Sequence, residues 1–323
     1  MTVRLFVLFL GMSVLFGCSS NDTDIEQPDF FQIGLEKGVN SGLAADYPGD
    51  NGIENSSYVL AVENFESGRV TIPTQQNRYR DNVGVVERPV FSGKYAGEHA
   101  WPQGFQGPTC RYNIPASAHT GSQPTYFVRM YFRFDSSFHP GSGMEPVGVK
   151  GFGIYNESSS SGPSDGTNWY SVSCQFTGWG PSVKKEANNG YLWFGHMYSY
   201  CPDAARAEAA VGTIKLTDFG SVPSYRFSIY SDPYFYIKFD EWYCYEIGLY
   251  LNTPGKSDGE ARFWINGVLQ SRAVNMRFRD IESLTPETVH LNLHRTTEQF
   301  PHTMKRYVDN IVIATRYIGP MKR

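Results

Sequence analysis

Short segments in which apolar and polar residues alternate recur along this 323-residue chain. The clearest are YFVRMYFRF (126–134), YSVSCQF (170–176), YEIGLYL (245–251), ARFWING (261–267) and VHLNLH (289–294). Because side chains alternate between the two faces of a strand, each segment predicts a strand with one face in a core. Glycine, proline, asparagine and aspartate separate these segments, and no long stretch repeats at helical spacing. The chain is therefore predicted to form an all-β sandwich or barrel.

The length is compatible with one large domain, since an all-β sandwich can exceed ~200 residues as a single unit. Neither an internal repeat nor a proline-rich linker divides the chain. We expect one folded domain over residues 30–323. The segment SSSSGPSDG (158–166) predicts a loop between strands. The segment PDAARAEAAVG (202–212) is the best candidate for a helix, which we expect to be short.

The first residues have the features of an export signal. Arg4 precedes the apolar run LFVLFLGMSVLF (5–16), which is too short to span a bilayer stably. The ending LFGC (15–18) resembles the lipobox of bacterial lipoproteins, in which the cysteine is acylated after cleavage. This resemblance implies a signal peptide over residues 1–17, lipidation of Cys18 and a flexible tether over residues 18–29.

The resemblance also implies where the protein acts. Ser19 follows the cysteine in place of aspartate, which in Gram-negative bacteria implies the outer membrane. We therefore expect an exported protein that is attached to the bacterial outer membrane through its N-terminal lipid.

Four further cysteines remain in an exported chain, namely Cys110, Cys174, Cys201 and Cys244. They allow two disulfides in three possible pairings, or buried free thiols. Their spacing contains no CxxC or Cys/His pattern that is typical of zinc. Calcium-binding loops are not evident either. We expect no metal or other cofactor.

The formal net charge of −4 gives no overall positive field that would attract a polyanion. Attraction of an acidic ligand must therefore come from local groups. The chain has no basic helix and no aromatic–basic repeat of the kind found in nucleic-acid recognition modules, so nucleic acid is not an expected partner.

The stretch YLWFGHMYSYC (191–201) carries chemically active groups at every second position. His196, Tyr198 and Tyr200 share one face of the predicted strand, and Met197 points to the other. One face of this strand would present hydroxyl and imidazole groups, and the other face would pack into the core. A sheet built in this way can support a polar surface on which chemistry takes place. A solvent-exposed strand that happens to contain tyrosines remains the alternative.

A second cluster follows the same rule. In VHLNLHR, the side chains of His290, Asn292 and His294 share a strand face, and Arg295 follows. Basic and amide groups of this kind suit an anionic sugar chain. The alternative is that these histidines have only structural partners.

Two later stretches carry a resemblance to a known family. FDEWYCYEIGLYLNTPGKSDGEARFWINGVLQ (239–270) contains a hairpin signal, and YVDNIVIATRYIGP (307–320) closes the domain. Together they resemble the jelly-roll polysaccharide lyases of the alginate and glucuronan lyase type, with similarity over most of residues 120–320. The resemblance implies a concanavalin A-like jelly-roll β-sandwich of two antiparallel sheets, with a concave glycan groove. It also implies an acidic polysaccharide or oligosaccharide as the ligand.

The resemblance implies several site residues on the strands of the groove. The arginine of the family's first such strand matches Arg129, and alternation places Tyr131 and Arg133 on the same face. The family's lysine matches Lys150 in GVKGFGIY. These positions would bind the carboxylate of the substrate, with Tyr131 and Arg133 as additional substrate contacts.

Two further matches lie on later strands. The family's serine strand resembles YSVSCQF, which places Ser171 in the site, but Ser173 stands where the family often has an arginine. The paired tyrosines that precede Pro-Asp match Tyr198 and Tyr200. The missing arginine leaves the identity of the substrate open.

These residue types fit β-elimination. A polysaccharide lyase removes the C5 proton of a uronate and expels the sugar linked at O4, which requires a neutralised carboxylate, a base and an acid. We assign Tyr198 and Tyr200 as base and acid, and Lys150 and Arg129 as carboxylate ligands. His196 is an alternative base. A tyrosinate base needs a nearby cation, because the ordinary pKa of tyrosine is near 10.

Two other functions remain open. A non-catalytic glycan-binding lipoprotein of the same fold would use the aromatic and arginine contacts without a base and acid. A glycoside hydrolase of this fold would need carboxylates in register on one strand. Asp240, Glu241 and Glu246 are spaced too irregularly for that arrangement.

Overall fold

Two antiparallel sheets make up most of the computed structural model. The structure describes residues 41–72, 83–101, 103, 109–118, 124–138, 149–156, 163–177, 193–216, 226–231, 235–292 and 302–322. The proposed signal peptide, Cys18 and the tether lie outside these residues. Within the described residues, no helix is long and apolar enough to cross a membrane.

One sheet has nine strands. These are β1 (Val59–Glu63), β2 (Val83–Val86), β3 (Ala96–Trp101), β5 (Thr125–Phe134), β9 (Glu208–Val211), β13 (Trp242–Tyr250), β14 (Gly259–Ile265), β15 (Val268–Met276) and β17 (Met304–Ala314). Eight of them follow the order β2-β3-β17-β5-β13-β14-β15-β9, and β1 also pairs with β17.

The other sheet has eight strands. These are β4 (Thr109–Asn113), β6 (Val149–Asn156), β7 (Tyr170–Thr177), β8 (Trp193–Tyr200), β10 (Thr213–Leu216), β11 (Arg226–Tyr230), β12 (Tyr236–Ile237) and β16 (Thr288–Asn292). The order is β10-β11-β8-β7-β6-β16-β4, and β12 pairs with β8. Every strand predicted from alternation is present, up to residue 292 in the last of them.

Helical structure in the described residues is confined to short 3-10 turns. They span Leu43–Asp46, Pro48–Asp50, Ile53–Asn55, Ala116–Ala118, Ser136–Phe138 and Ala204–Arg206. The short helix predicted within residues 202–212 is present only as the 3-10 turn Ala204–Arg206. Only one turn forms there, and the rest of the segment becomes β9, since it pairs with the edge strand β15. Backbone pairing at an open sheet edge outweighs the intrinsic helix preference of the alanines, which is the strongest of any residue.

The core lies between the two sheets. Alternation on β5 directs Val128, Met130 and Phe132 inward, as the sequence predicts. Phe132 meets Phe152 of the opposite sheet edge-on, with ring centroids 5.5 Å apart. Burying each such large apolar side chain stabilises the fold by about 1.5–3 kcal/mol. This interdigitated layer holds the two sheets together.

The chain covers the outer face of the nine-stranded sheet with its own ends. The 3-10 turn Leu43–Asp46 hydrogen-bonds to the C-terminal segment, with Ala44 N donating to Ile318 O at 2.8 Å. Beneath this cover lies a second apolar cluster that includes Phe127 and Trp264. Outward-pointing side chains beneath this cover, such as Arg129 and Trp264, are therefore buried.

The four cysteines that follow Cys18 are all buried free thiols. The sequence left open whether they would form disulfides or buried thiols, and the structure contains the second arrangement. Burial raises the pKa of Cys174 and Cys201 above the ordinary thiol value, so neither is an activated nucleophile.

Candidate active site

The outward surface of the eight-stranded sheet brings together most of the predicted site residues. Phe176, Met197 and Ile229 point from its strands into the core. The alternate positions on β8, His196, Tyr198 and Tyr200, therefore point outward. We call this outward surface, with the in-register residues of the neighbouring strands, the tyrosine face.

Strand register sorts the tyrosine face into rows that cross the strands. Residues directly opposite each other on paired strands share a face and lie side by side. One row contains Arg226, Tyr200, Ser171, Tyr155 and Thr288. The next row contains Ser228, Tyr198, Ser173, Gly153 and His290. A third row contains His196, Gln175 and Lys150.

A hydrogen-bonded cluster forms where the first two rows meet β8. The Oη atom of Tyr198 donates to the Oη atom of Tyr200 at 2.9 Å. Arg226 Nη1 lies 3.1 Å from Tyr198 Oη and 3.3 Å from Tyr200 Oη, and it donates to both. Tyr200 thus receives two donors, which is the arrangement that stabilises a phenolate.

The pKa values of the two tyrosines are shifted in opposite directions. Burial alone would raise the pKa of Tyr200, but the hydrogen bond from Tyr198 and the positive charges of Lys150 and Arg226 outweigh it, so the pKa is lowered. Burial raises the pKa of Tyr198 well above its ordinary value, and the neighbouring Tyr200 adds to this rise. Neighbouring groups whose pKa values are driven apart are typical of acid–base pairs.

Lys150 contributes to the same electrostatic environment. Burial lowers the pKa of Lys150, while Tyr200 opposes and Arg226 reinforces that shift. The ammonium group is therefore within the field of Tyr200. The structure places Lys150, which the sequence predicts to bind the substrate carboxylate, on the same sheet face as the paired tyrosines.

The floor beside the tyrosines is made of small residues. Ser171 and Ser173 are buried, and Ser173 Oγ donates to the carbonyl oxygen of Tyr198 at 3.1 Å. Gly153 follows in the same row, where an added Cβ atom would come within 2.6 Å of the Ser173 Cβ atom. Only glycine fits there without displacing a neighbour. The result is a low strip between taller side chains.

His196 has a different environment from the tyrosines. Its ring stacks on Tyr230, with centroids 4.7 Å apart, and only 3% of the residue is exposed. Burial lowers the pKa of His196 to about 3, so the ring is neutral near pH 7. This enclosure favours a supporting role over the predicted role as alternative base.

The predicted second cluster is described only in part. His290 lies on the tyrosine face, where its ring stacks on Tyr155 with centroids 3.9 Å apart. Asn292 is the last residue of β16, and its side chain is outside the description. His294 and Arg295 lie outside the described residues.

The prediction that Arg129 belongs to this site is wrong. Its strand, β5, is in the nine-stranded sheet, and the guanidinium forms a buried ion pair with the Asp50 carboxylate. Its Nη2 also donates to the carbonyl oxygen of Asn310 at 3.3 Å. Arg129 therefore holds the 3-10 turn that contains Asp50 onto the outer face of the nine-stranded sheet, away from the tyrosine face.

Tyr131 and Arg133 share the face of Arg129, so they too lie away from the tyrosine face. Tyr131 Oη accepts a hydrogen bond from Met321 N at 2.7 Å, and its ring stacks on Phe91. Arg133 forms an ion pair with Asp240 at 3.0 Å. Their predicted substrate contacts are wrong because the chain's own C-terminal segment and loops occupy that surface.

The sequence reasoning did not identify Arg226. The available signal was the alternating segment RFSIY (226–230), in which Arg226, Ser228 and Tyr230 are in phase. The guanidinium takes the place expected for Arg129 as the cation beside the tyrosines. It reaches them from the adjacent strand β11.

The formally charged side chains on the described strands of the eight-stranded sheet are all positive. Its described strands contain Arg111, Lys150, Lys215 and Arg226, and none of these strands contains aspartate or glutamate. A retaining hydrolase needs two carboxylates at its site, so these strands do not fit that alternative. The described residues also contain no group of three or more metal-ligating side chains of the kind that holds a metal ion.

A cavity of about 450 Å³ lies elsewhere, beside the buried ion pair of the nine-stranded sheet. Asp50, Glu54, Glu66 and Asn310 are among its lining residues. This acidic lining is unsuited to an anionic ligand, so the cavity does not compete with the tyrosine face as the candidate site.

Comparison with known proteins identifies the fold. No family model matches the chain, and neither does any curated protein sequence. Among solved structures, the marine alginate lyase from Aplysia kurodai matches with a TM-score of 0.54 and 15% identity, over 82% of this chain and 100% of that one. An alginate lyase from Chlorella virus matches with a TM-score of 0.53 and 15% identity, over 79% and 99%.

A third match is a variant alginate lyase in complex with alginate trisaccharide, with a TM-score of 0.50 and 15% identity, over 79% of this chain and 98% of that one. Together these matches confirm the predicted jelly-roll sandwich of two antiparallel sheets. At this level of identity the likeness is one of fold.

Proposed function

We propose that this protein is a polysaccharide lyase that cleaves a uronate-containing glycan by β-elimination. The observation that carries the proposal is the cluster of Tyr200, Tyr198 and Arg226 on a sheet whose described strands contain cations and no carboxylate. The structural likeness to alginate lyases supports it, since that fold accommodates the reaction.

The first requirement of the reaction is a neutralised substrate carboxylate. The C5 proton of a uronate becomes acidic when a cation or hydrogen-bond donor stabilises the charge that develops on the adjacent carboxylate. Among the residues that the structure describes, Lys150 and Arg226 are the cations whose charges lower the pKa of Tyr200. We assign them to this role.

The second requirement is a base. Tyr200 accepts hydrogen bonds from Tyr198 and Arg226 and has a lowered pKa. Of the two tyrosines, Tyr200 therefore forms a phenolate more easily. We assign Tyr200 to remove the C5 proton. The electron pair of that C–H bond forms the C4–C5 double bond as the C4–O4 bond breaks.

The third requirement is an acid. Tyr198 stays protonated, because burial raises its pKa, and we assign it to protonate the departing O4. Tyr200 then carries the abstracted proton and Tyr198 lacks one. Transfer across the 2.9 Å hydrogen bond from Tyr200 to Tyr198 restores both groups without help from solvent.

The direct test is the ultraviolet absorbance of the unsaturated product. The purified full-length chain would be incubated separately with alginate, glucuronan, ulvan and glycosaminoglycans. We expect a rise with a uronate-containing polymer. Silence with all of them, together with retained binding of one polymer in a pull-down, would contradict the lyase and favour the glycan-binding lipoprotein.

We also propose export and lipidation at Cys18, on the basis of residues 1–18 alone. A cell fed an alkyne-tagged fatty acid should label the wild-type protein in its membrane fraction. Cys18→Ser should abolish the label. Equal labelling of both proteins would contradict this assignment.

A further inference from the structure

Trp169 lies directly against the residue assigned as the base. The centroids of its ring and of the Tyr200 ring are 5.0 Å apart, and the two rings are inclined at 47°. The next residue, Tyr170, points into the core, so alternation directs Trp169 to the tyrosine face. Hydrogen bonds from Tyr198 and Arg226 hold the hydroxyl of Tyr200, and this contact holds its ring.

The loop before Trp169 is tied by its own side chains. Ser164 Oγ donates to the carbonyl oxygen of Trp169 at 2.5 Å. Asn168 Nδ2 donates to the carbonyl oxygen of Pro163 at 2.8 Å, and its Oδ1 accepts from Asp165 N at 3.0 Å. Side-chain hydrogen bonds of this kind close a short segment into a compact turn. The backbone of Trp169 therefore has a fixed position.

Arg277 ties this loop to the chain that follows Tyr200. Its Nη1 donates to Asp203 Oδ2 at 2.5 Å, and its Nε donates to Asp280 Oδ1 at 2.7 Å. Asp280 N in turn donates to the carbonyl oxygen of Gly166 at 2.7 Å. Gly166 has a φ of 90°, and an added Cβ atom would come within 2.8 Å of the Asp280 carboxylate. Only glycine allows this close approach.

The two segments also meet in the core. Phe278 follows Arg277, and Tyr170 follows Trp169. The rings of Phe278 and Tyr170 are fully buried and pack with their centroids 5.5 Å apart. The segment after β15 therefore supports Tyr200 from two sides, through the indole ring and through the chain that continues from β8.

We propose that this arrangement is a positioning device for the base. Its members, which we call the brace, are Trp169, Asp203, Arg277 and Asp280. The brace keeps the phenol of Tyr200 where Tyr198 and Arg226 can both donate to its oxygen, and it acts on the reaction only through Tyr200. The inference rests on the proposed function and adds to it how the base is held.

The groups that face Tyr200 define what the brace preserves. Tyr198 donates from β8, Arg226 donates from β11, and the charge of Lys150 acts from β6. From β7, Ser171 is in register with Tyr200 and does not titrate. A phenol carries its oxygen at the far end of the ring, so a small rotation moves that oxygen out of line with its donors. A shift of about 1 Å in a reacting group can cost about 10²-fold in rate.

Titration of the Tyr200 phenolate tests the brace without any substrate. The ultraviolet band of the phenolate would be followed against pH in the full-length protein and in Asp203→Gly, each compared with its own Tyr200→Phe derivative. Asp203 has a φ of 52°, which glycine adopts without strain. We expect the pKa of Tyr200 to rise in Asp203→Gly, because the phenol loses its alignment with its donors. Loss of the negative charge alone would lower this pKa, so the sign separates the two effects.

Kinetics test the ring contact. On the polymer that the wild type cleaves, Trp169→Ala should lower kcat about tenfold and leave KM within about twofold. Trp169→Phe keeps an aromatic ring against Tyr200 and should recover most of the rate. Asp203→Asn keeps the acceptor for Arg277 and should likewise recover most of the titration. A raised KM with unchanged kcat in Trp169→Ala would make the indole a substrate contact and overturn its positioning role.

Arg133→Gln is the matched control. Arg133 pairs with Asp240 at the nine-stranded sheet, and 25% and 40% of the two side chains are exposed. The corresponding values for Arg277 and Asp203 are 25% and 42%. The control should lose a similarly small amount of stability and keep the wild-type kcat and the wild-type titration of Tyr200.

The possible outcomes are distinct. If Asp203→Gly and Trp169→Ala only lose stability, as the control does, and keep the titration of Tyr200 and kcat, the brace is overturned even when the wild type releases unsaturated product. A titration that shifts as expected, in a protein that releases no product from any polymer, would support the brace and contradict the lyase reaction.

Discussion

Arg129 and Arg226 both project from strands of the same sandwich, yet their partners differ in kind. Arg129 lies in the nine-stranded sheet and pairs with the Asp50 carboxylate under the N-terminal turns. Arg226 lies in the eight-stranded sheet and donates to two tyrosine hydroxyls. One guanidinium is neutralised by a carboxylate, whereas the other acts on groups that can themselves ionise.

The same contrast holds across the two sheets. In the nine-stranded sheet, Arg262 and Arg272 share the Glu260 carboxylate, and Lys305 pairs with Glu98. The described strands of the eight-stranded sheet contain lysine and arginine but no aspartate or glutamate. The two sheets therefore differ in the neighbours that their own strands offer to a positive side chain.

The largest expected effect is on stability, at Arg129. Arg129→Met would leave the buried Asp50 carboxylate without its partner, which costs about 3–5 kcal/mol of unfolding free energy. Denaturant unfolding should show this loss, while turnover per folded molecule stays unchanged. The double variant with Asp50→Leu should recover much of the stability, because no uncompensated charge remains. A large loss of turnover in folded Arg129→Met would contradict the claim that Arg129 serves stability and Arg226 serves catalysis.

The second effect is on catalysis, at Arg226. Arg226→Gln should lower kcat/KM by about 10²-fold near neutral pH, with little change in melting temperature. Since Arg226 helps to lower the pKa of Tyr200, its loss should move the rising limb of the pH–rate profile to higher pH. Arg226→Lys should shift the limb less. An unchanged pH–rate profile for Arg226→Gln would contradict the role assigned to the Arg226 charge in the reaction.

Part of this comparison was accessible from sequence. Alternation correctly placed Arg129, Tyr131 and Arg133 on one face of β5, because local periodicity decides which side chains point together. It could not show that residues about 79 positions earlier would cover that face with Asp50. Such long-range covering leaves no periodic signal near Arg129.

Arg226 was missed for a related reason. The segment RFSIY predicts a strand, but its contact with Tyr200 joins residues 26 positions apart and depends on strand order and register. The lysine and the tyrosine pair, in contrast, carried a recognisable local motif. The chemical types were therefore predictable, and the source of the positive charge was not.

The smallest effect concerns pH and stability in the nine-stranded sheet. Burial raises the pKa of Glu246 to about 7, and it does the same for Asp309. The folded state thus binds more protons than the unfolded state between the ordinary carboxyl pKa and about 7, so stability falls as pH rises through that window. Thermal unfolding should show a higher melting temperature at the acidic end of the window than above it.

Glu246→Gln should flatten this dependence, because its amide does not titrate. In the wild-type protein, the Glu246 carboxylate accepts hydrogen bonds from Ile318 N and Gly319 N, both at 2.8 Å. Replacing this carboxylate therefore costs some stability at every pH. The slope with pH, and not the absolute melting temperature, is the relevant measurement. A wild-type melting temperature that rises through this range would contradict the assignment.

A paired tyrosine substitution tests the central claim most directly. Tyr200→Phe removes the hydroxyl assigned as the base, and Tyr131→Phe removes a buried hydroxyl of the nine-stranded sheet that accepts from Met321 N and contacts Cys244. Initial rates of unsaturated product would be measured for both variants on the polymer that the wild type cleaves. We expect Tyr200→Phe to lose at least about 10²-fold in kcat while Tyr131→Phe keeps the wild-type rate. A fully active Tyr200→Phe would contradict the assignment of the tyrosine face as the catalytic surface.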